Sequence, residues 1–380
     1  MKQQTAIYRP ETGWVEALDP RLDSASTLIL AFGANVYGDN PAPFKALREV
    51  FPNAVLMGCS SVGEVAGARV EDNSISIAVA QFEHTSLRPF LAPVDHPDQS
   101  WAVGRRMAEH LDAADLAAIF ILSDGVGING SKLVRGVSET LRRPIPVSGG
   151  LAGDGGRFDS TWILANGQPS GGYVSAVGFY GDRFRVGLGS EGGWTEFGPE
   201  RRITHAQDNR LYELDGQPAL DLYKDYLGEL AGDLPGAGLL FPIAIRDPRH
   251  SERFVVRTIL GIDEIARSMT FAGDVPEGFT ARLMRASDDR LIDSAAVAVS
   301  EATRHFDDTC RPLIVSISCV GRRLVLGQRT EEEIETVLFG APSGAGHIGF
   351  YSHGEISTGS SSSACDFHNQ TMTISAFHEQ

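Results

Sequence analysis

The sequence predicts an α/β protein of mixed α+β character, made of two mixed-sheet units packed around an interdomain pocket. Three observations carry this reading. Apolar runs alternate with helical patterns as far as Gly149. A β-rich stretch follows, broken by Asn-Gly and Gly-Asp turn signals, and the alternation then returns towards the C-terminus.

In order, the first unit reads as a strand from Thr27 to Phe32, a helix from Pro43 to Val50, and strands Ala54 to Met57, Ser74 to Phe82 and Leu87 to Val94. A helix Trp101 to Leu111 leads to the wholly apolar run Leu116 to Leu122. With a helix Lys132 to Leu141 and a strand Ile145 to Ser148, that run forms a buried β-α-β unit. Phe158 to Leu164, Gly172 to Tyr180 and Phe184 to Ser190 suggest an antiparallel meander. The glycine-rich segment Glu191 to Pro199 and the polar stretch to Gly216 suggest a boundary, giving units of 27–210 and 211–380. The second unit runs through helix Ala219 to Leu227, strands around Phe241 to Ile245 and Phe254 to Leu260, helix Asp289 to His305 and strand Leu313 to Cys319. Helix Glu331 to Phe339 and strands Ile348 to Ser352 and Thr371 to Ala376 complete it. The serine tract Ser360 to Ser363 reads as a solvated loop.

Composition narrows the function classes. The 42% hydrophobic and 22% charged residues are globular averages, so a buried core is expected. A net charge of -16 repels phosphate backbones and anionic lipid, which argues against nucleic-acid and membrane partners. The opening Met1 to Pro10 is polar, and no stretch approaches the about 18 uninterrupted apolar residues of a membrane span, so a cytoplasmic protein is expected. The four cysteines lack metal-site spacing, and no metal is expected.

Several motifs have a functional reading and a plainer one. Gly125 to Gly130 spells G-x-G-x-x-G between a strand and a helix, the context of a dinucleotide loop. The acidic residue expected after the next strand is missing, so a tight turn capped by Asp124 or Asn129 is the better reading. Gly58 to Gly63 approaches a nucleophile elbow, but Val62 stands where the second glycine belongs. Cys59 then reads as a small buried hydrophobe, and the alternative is an enzyme using Cys59 or His368 on a small metabolite. Asp154, in the glycine-rich run Gly149 to Gly156, would meet a ligand amino group or close an Asx-turn. The acidic run Glu331 to Glu333 complements the start of a helix.

Three segments taken together resemble the N-terminal FIST domain: Gly58-Cys59-Ser60-Ser61-Val62-Gly63-Glu64-Val65, Ser123-Asp124-Gly125 with Asn129, and Gly149-Gly150-Leu151-Ala152-Gly153-Asp154. Gly349-Phe350-Tyr351-Ser352, Gly354-Glu355-Ile356 and above all Cys365-Asp366-Phe367-His368-Asn369-Gln370-Thr371-Met372-Thr373 resemble the C-terminal FIST signature. The resemblance spans residues 27–376 and departs from the family at the serine tract and at His353. It implies a stand-alone sensory protein of bacterial signal transduction, with amino acids suggested as ligands and no catalysis. Some family members resemble haem-dependent nitric-oxide sensors, which makes haem the alternative to no cofactor, and a histidine kinase or cyclic-di-GMP enzyme the expected output partner.

The candidate ligand site is drawn from strand ends and glycine-rich turns, where α/β folds place ligands. It takes Gly58, Cys59, Ser60, Ser61 and Glu64 from the first motif, then Asp124 and Asn129, then Gly150, Gly153 and Asp154. The C-terminal signature adds Ser352 and Glu355, then Cys365, His368, Asn369 and Gln370. His353 and His368 are the candidate axial ligands if haem binds.

Overall fold

The computed structural model describes residues 1–155, 157–249, 254–307, 309–359 and 365–380; the serine tract lies outside them. Three sheets share one apolar core, and strict alternation along their strands sorts the side chains. In strand Thr27–Ala34, Leu28, Leu30 and Phe32 face this core, while Ile29 and Ala31 face outward onto helix Ala42–Val50 through Phe44 and Leu47. Strand Leu116–Ser123 does the same with Phe120 and Leu122 inward. Its Ile119 and Ile121 lie under the packed helices Ser100–Leu111 and Gly130–Thr140. Strand Leu313–Cys319 turns Leu313, Val315 and Ile317 inward and Ile314 towards helices Asp288–Thr303 and Thr330–Gly340. The aromatic rings of Phe179 and Phe184 stack at 4.3 Å inside this core, each such burial contributing about 1.5–3 kcal/mol.

Each of these sheets contains one parallel strand pair joined through a helical connection. The pairs are Thr27–Ala34 with Val55–Ser61, Leu116–Ser123 with Val147–Leu151, and Leu313–Cys319 with Gly346–Ser352. The sheets also mix early and late sequence. Gly354–Thr358 pairs antiparallel with Val147–Leu151 and carries Cys365–His368 on its other edge, while Glu64–Ala66 pairs with Gly346–Ser352. A further antiparallel sheet, built around Thr195–Gln207 and Thr280–Arg285, has its own apolar cluster with helix Ala219–Leu227.

Two expectations need correction, the place of the first strand and the extent of the Phe158 to Leu164 strand. The first strand is Lys2–Arg9, paired with Ile75–Gln81 over its length. Only Ala6 and Ile7 are buried in it, so ladder hydrogen bonds rather than an apolar pattern hold it. The polar stretch up to Gly216 holds a hairpin of strands, Thr195–Gln207 and Arg210–Leu214. Within Phe158 to Leu164 only the end is strand, in Ile163–Ala165. The run Glu331 to Glu333 opens helix Thr330–Gly340 as its charges suggest, and Glu333 is fully buried against Arg322 at 2.8 Å.

Candidate functional site

The carboxyl ends of the three parallel pairs meet and are stitched by backbone hydrogen bonds. The Val62 amide donates to the Tyr351 carbonyl at 2.9 Å, and the Tyr351 amide to the Gly63 carbonyl at 3.1 Å. The Gly153 amide donates to Ser60, the Ala152 amide to Ser123 and the His353 amide to Leu151, at 2.9, 2.8 and 3.2 Å. Gly125 must be glycine for this packing, because a Cβ there would stand 1.8 Å from the Ala152 carbonyl oxygen. These bonds join the N-terminal loops and the Ser352–Glu355 turn in one polar seam.

Two cavities open on that seam. The first, about 440 Å³, is bounded by the Gly125, Val126, Ile128 and Asn129 loop, Lys132, His353 and the Thr270–Ala272 strand end. The second, about 410 Å³, is bounded by Ser61–Glu64, Asp72, Asp154 and Arg323. Between them lies a buried pair: His353 Nε2 is 3.2 Å from Asp154 Oδ1 and 3.1 Å from the Gly155 carbonyl, with Nδ1 3.4 Å from the Gly125 carbonyl. Phe158 covers the imidazole at 4.3 Å. Burial pushes the Asp154 carboxyl up, but the bonds from His353 and from the Asp159 and Ser160 amides outweigh it and bring it down to about 2. Asp154 is thus both a partner to His353 and the acceptor that closes a turn onto the Phe158, Asp159 and Ser160 amides.

The glycine loop holds its own anion. Asp124 accepts from the Val126 and Gly127 amides at 2.9 Å each and from Gly172, which occupies the donors a phosphate would need. Asn129 caps helix Gly130–Thr140 by accepting from the Lys132 amide at 2.9 Å, while its amide group donates to Asp274. The Lys132 ammonium reaches Asp208 at 2.9 Å and Asp98 at 3.3 Å across the first cavity, and these bonds raise its affinity for the proton.

Two fully buried acids flank the seam. Burial lifts Glu64 to about 8, against hydrogen bonds from the Ser74 amide and hydroxyl to its Oε2 and one with the Ser61 side chain. Burial lifts Glu355 to about 7, against bonds from the Ser352 hydroxyl and from the Thr371 amide and hydroxyl.

The other candidates sit behind these walls. Gly58 is pressed against the Ala31 carbonyl, and Gly150 lies under Ile317 and Phe350. Ser60 accepts from the Trp162 amide. Cys59 and Cys365 are buried, and desolvation drives both thiols far above their usual range. The Asn369 amide group donates to the His353 carbonyl at 3.5 Å, and its Oδ1 has no partner among the described residues. Gln370 turns away to Leu239 and Trp194, at a positive φ of 65°. His368 lines neither cavity, and its Nε2 is buried with no partner among the described residues. Of the two candidate haem ligands, His353 has both ring nitrogens facing protein oxygens, and His368 borders neither of these two cavities. Lys132, Asp98 and Asp208 were missed because opposite charges far apart in sequence carry no local pattern.

The fold is a mixed α+β architecture whose two sequence halves share strands and meet along a polar seam. A profile described as FIST N domain matches residues 27–217, and one described as FIST C domain matches residues 219–358. The chain belongs to the FIST family, whose domains are sensory domains of signal transduction. The C-terminal match ends at residue 358, short of the Cys365 to Thr373 segment on which the resemblance leaned most. The chain is also similar to a protein of Methanocaldococcus jannaschii, "Uncharacterized protein MJ1623", at 24% identity over 321 residues. That alignment covers 78% of this chain and 60% of its relative. Among the described residues no helix is long and apolar enough to cross a membrane.

Proposed function

We propose that the chain is a sensory protein that binds a small polar metabolite of amino-acid type in the 440 Å³ cavity, and reports occupancy to a separate signalling protein, a kinase or cyclic-di-GMP enzyme. The observation that carries this is the origin of the cavity wall. Asn129 and Lys132 come from the segment matched to FIST N, and Leu260, Thr270 and His353 from the segment matched to FIST C. A ligand there contacts both segments at once, so its binding energy can bias how they sit. Lys132 with Asp208 and Asp98 offers one cation and two carboxylates, the complement of a zwitterion's carboxylate and ammonium. Catalysis by Cys59 is disfavoured, since a buried thiol held in its protonated form is a poor nucleophile.

Calorimetric titration with the free amino acids tests the reading. At least one should bind, and Lys132→Ala and Asp208→Ala should each weaken it about tenfold, the loss of one charge-assisted hydrogen bond. Absence of binding, or indifference to both substitutions, would overturn it.

A further inference from the structure

The strand Phe184–Glu191 is the outer edge of its sheet, paired on one side only, with Met372–Glu379. The direction of its free groups follows from the parity of the ladder. In an antiparallel pair, opposite residues exchange both hydrogen bonds at every second position, and the residues between point theirs away. The Cys319 amide donates to the Thr371 carbonyl at 3.1 Å, so the odd residues from Thr371 onward bond to Leu313–Cys319 and the even ones turn to the edge strand. The Gln380 amide obeys the same parity, donating to the Arg183 carbonyl at 3.0 Å. Arg185, Gly187, Gly189 and Glu191 are therefore bonded inward. Val186, Leu188 and Ser190 turn their amides and carbonyls outward, where they meet no partner among the described residues.

Sheet edges of this kind are normally blocked, as the edge Ser86–Pro93 is by Pro89, Pro93 and Arg88. Phe184–Glu191 has no proline, and its two charges, Arg185 and Glu191, stand near its opposite ends. Neither has an ion-pair partner among the described residues. The exposed Arg185 guanidinium rests on the Asp182 and Phe184 carbonyls, and the half-buried Glu191 lies in the field of a second acid, Glu301.

We infer that this edge is an interface between two copies of the chain, joined as one antiparallel ladder about a twofold axis at Leu188. In that register Val186 opposes Ser190 of the partner subunit and Leu188 opposes its counterpart, each with an outward amide and carbonyl to exchange. Arg185 then faces Glu191 of the partner subunit at a non-hydrogen-bonded position, where side chains stand closest. Symmetry makes this ion pair twice, and the contact closes on itself. A slip of one residue breaks the hydrogen-bond parity, and a slip of two separates Arg185 from Glu191, so backbone and charge select the same register.

The helix above the strand agrees. Asp288–Thr303 lies against it at Ala298 and Ala302, whose carbonyl oxygens would stand 1.9 and 1.7 Å from a Cβ at Gly189 and Gly187. Val299 turns to Gly340 of the neighbouring helix. Val297, about 200° further round, is on the other flank, beyond the edge, and is 47% exposed. Pairing of the two edges would cover it.

The test is sedimentation of the intact chain over about 1–200 µM, with amide exchange followed in the same samples. The expected result is a monomer–dimer equilibrium in which the peptide Phe184–Glu191 gains protection in the dimer. Arg185→Glu should weaken the dimer about tenfold, because like charges then oppose each other twice, and adding Glu191→Arg should restore it. Leu188→Pro removes an outward amide that the strand's own ladder does not use, so it should yield a folded monomer. A monomer at every concentration, a dimer indifferent to Arg185→Glu, or no restoration by the double substitution would overturn the inference. The charge inversion leaves every backbone group in place, so it decides the matter even if Leu188→Pro folds poorly.

Discussion

His353 and Asp154 stand 3.2 Å apart, buried, where two cavities back onto each other. The imidazole belongs to the wall of one cavity and the carboxylate to the wall of the other.

The Asp154 carboxyl is depressed to about 2 in the folded chain, below its ordinary 3.8, because the bonds from His353 and two backbone amides exceed the effect of burial. The stabilisation is therefore present above about pH 4 and lost as pH falls towards 2. Thermal unfolding between pH 5 and pH 2 should show a steeper acid decline in the parent chain than in Asp154→Asn. Parallel curves would show that the pair does not hold the seam.

Glu355 has the opposite sign. Burial raises it from 4.5 to about 7, so the folded state keeps a proton that the unfolded chain releases. Its share of stability is full below about pH 4.5 and is lost as pH rises through 7, a swing of about 3 kcal/mol. Urea unfolding of Glu355→Gln should therefore gain on the parent by that order between pH 4.5 and pH 8. A constant difference across that range would contradict the assignment.

The pair Arg322–Glu333 is wholly buried, with Glu333 also held by Ser318 and Tyr351, and Arg322 by the Gly192 and Leu291 carbonyls. Removing one partner strands a charge in the interior. Glu333→Ala should cost about 3–5 kcal/mol in equilibrium unfolding, whereas Glu332→Ala, exposed on the same turn, should cost under about 1 kcal/mol. Similar losses for both would refute the distinction.

Cysteine accessibility separates a binding module from a thiol enzyme. Cys59, Cys319 and Cys365 are buried and Cys310 is partly exposed. Iodoacetamide at neutral pH, read by mass spectrometry, should label Cys310 alone in the native chain and all four after denaturation. Rapid native labelling of Cys59 would revive the catalytic reading.

Much of the fold was legible because apolar periodicity is a local signal. The runs Leu116 to Leu122 and Leu313 to Cys319 have no plausible state but buried strands, and both are buried strands. Lys2–Arg9 was not legible, since its place is set by pairing with Ile75–Gln81 rather than by its own side chains. The hairpin around residues 195–214 was missed for the same reason, its glycine and polar residues imitating a linker. In the site, Asn129 as a helix cap could be read in place, but Lys132 meeting Asp208 could not.

By itself the sequence determined the buried apolar strands and the amphipathic helices, the family, and the polar motifs at strand ends, because each depends on residues near in the chain. The tertiary structure alone decided which of those motifs face open space. Ser61, Glu64, Asn129 and Asp154 line cavities, whereas Cys59, Gly150 and Cys365 are sealed behind them. The physical reason is that successive strand residues point to opposite faces. Whether a face is a cavity or a core is settled by the element packed against it, here strands such as Gly354–Thr358 that arrive from some 200 residues away in the chain.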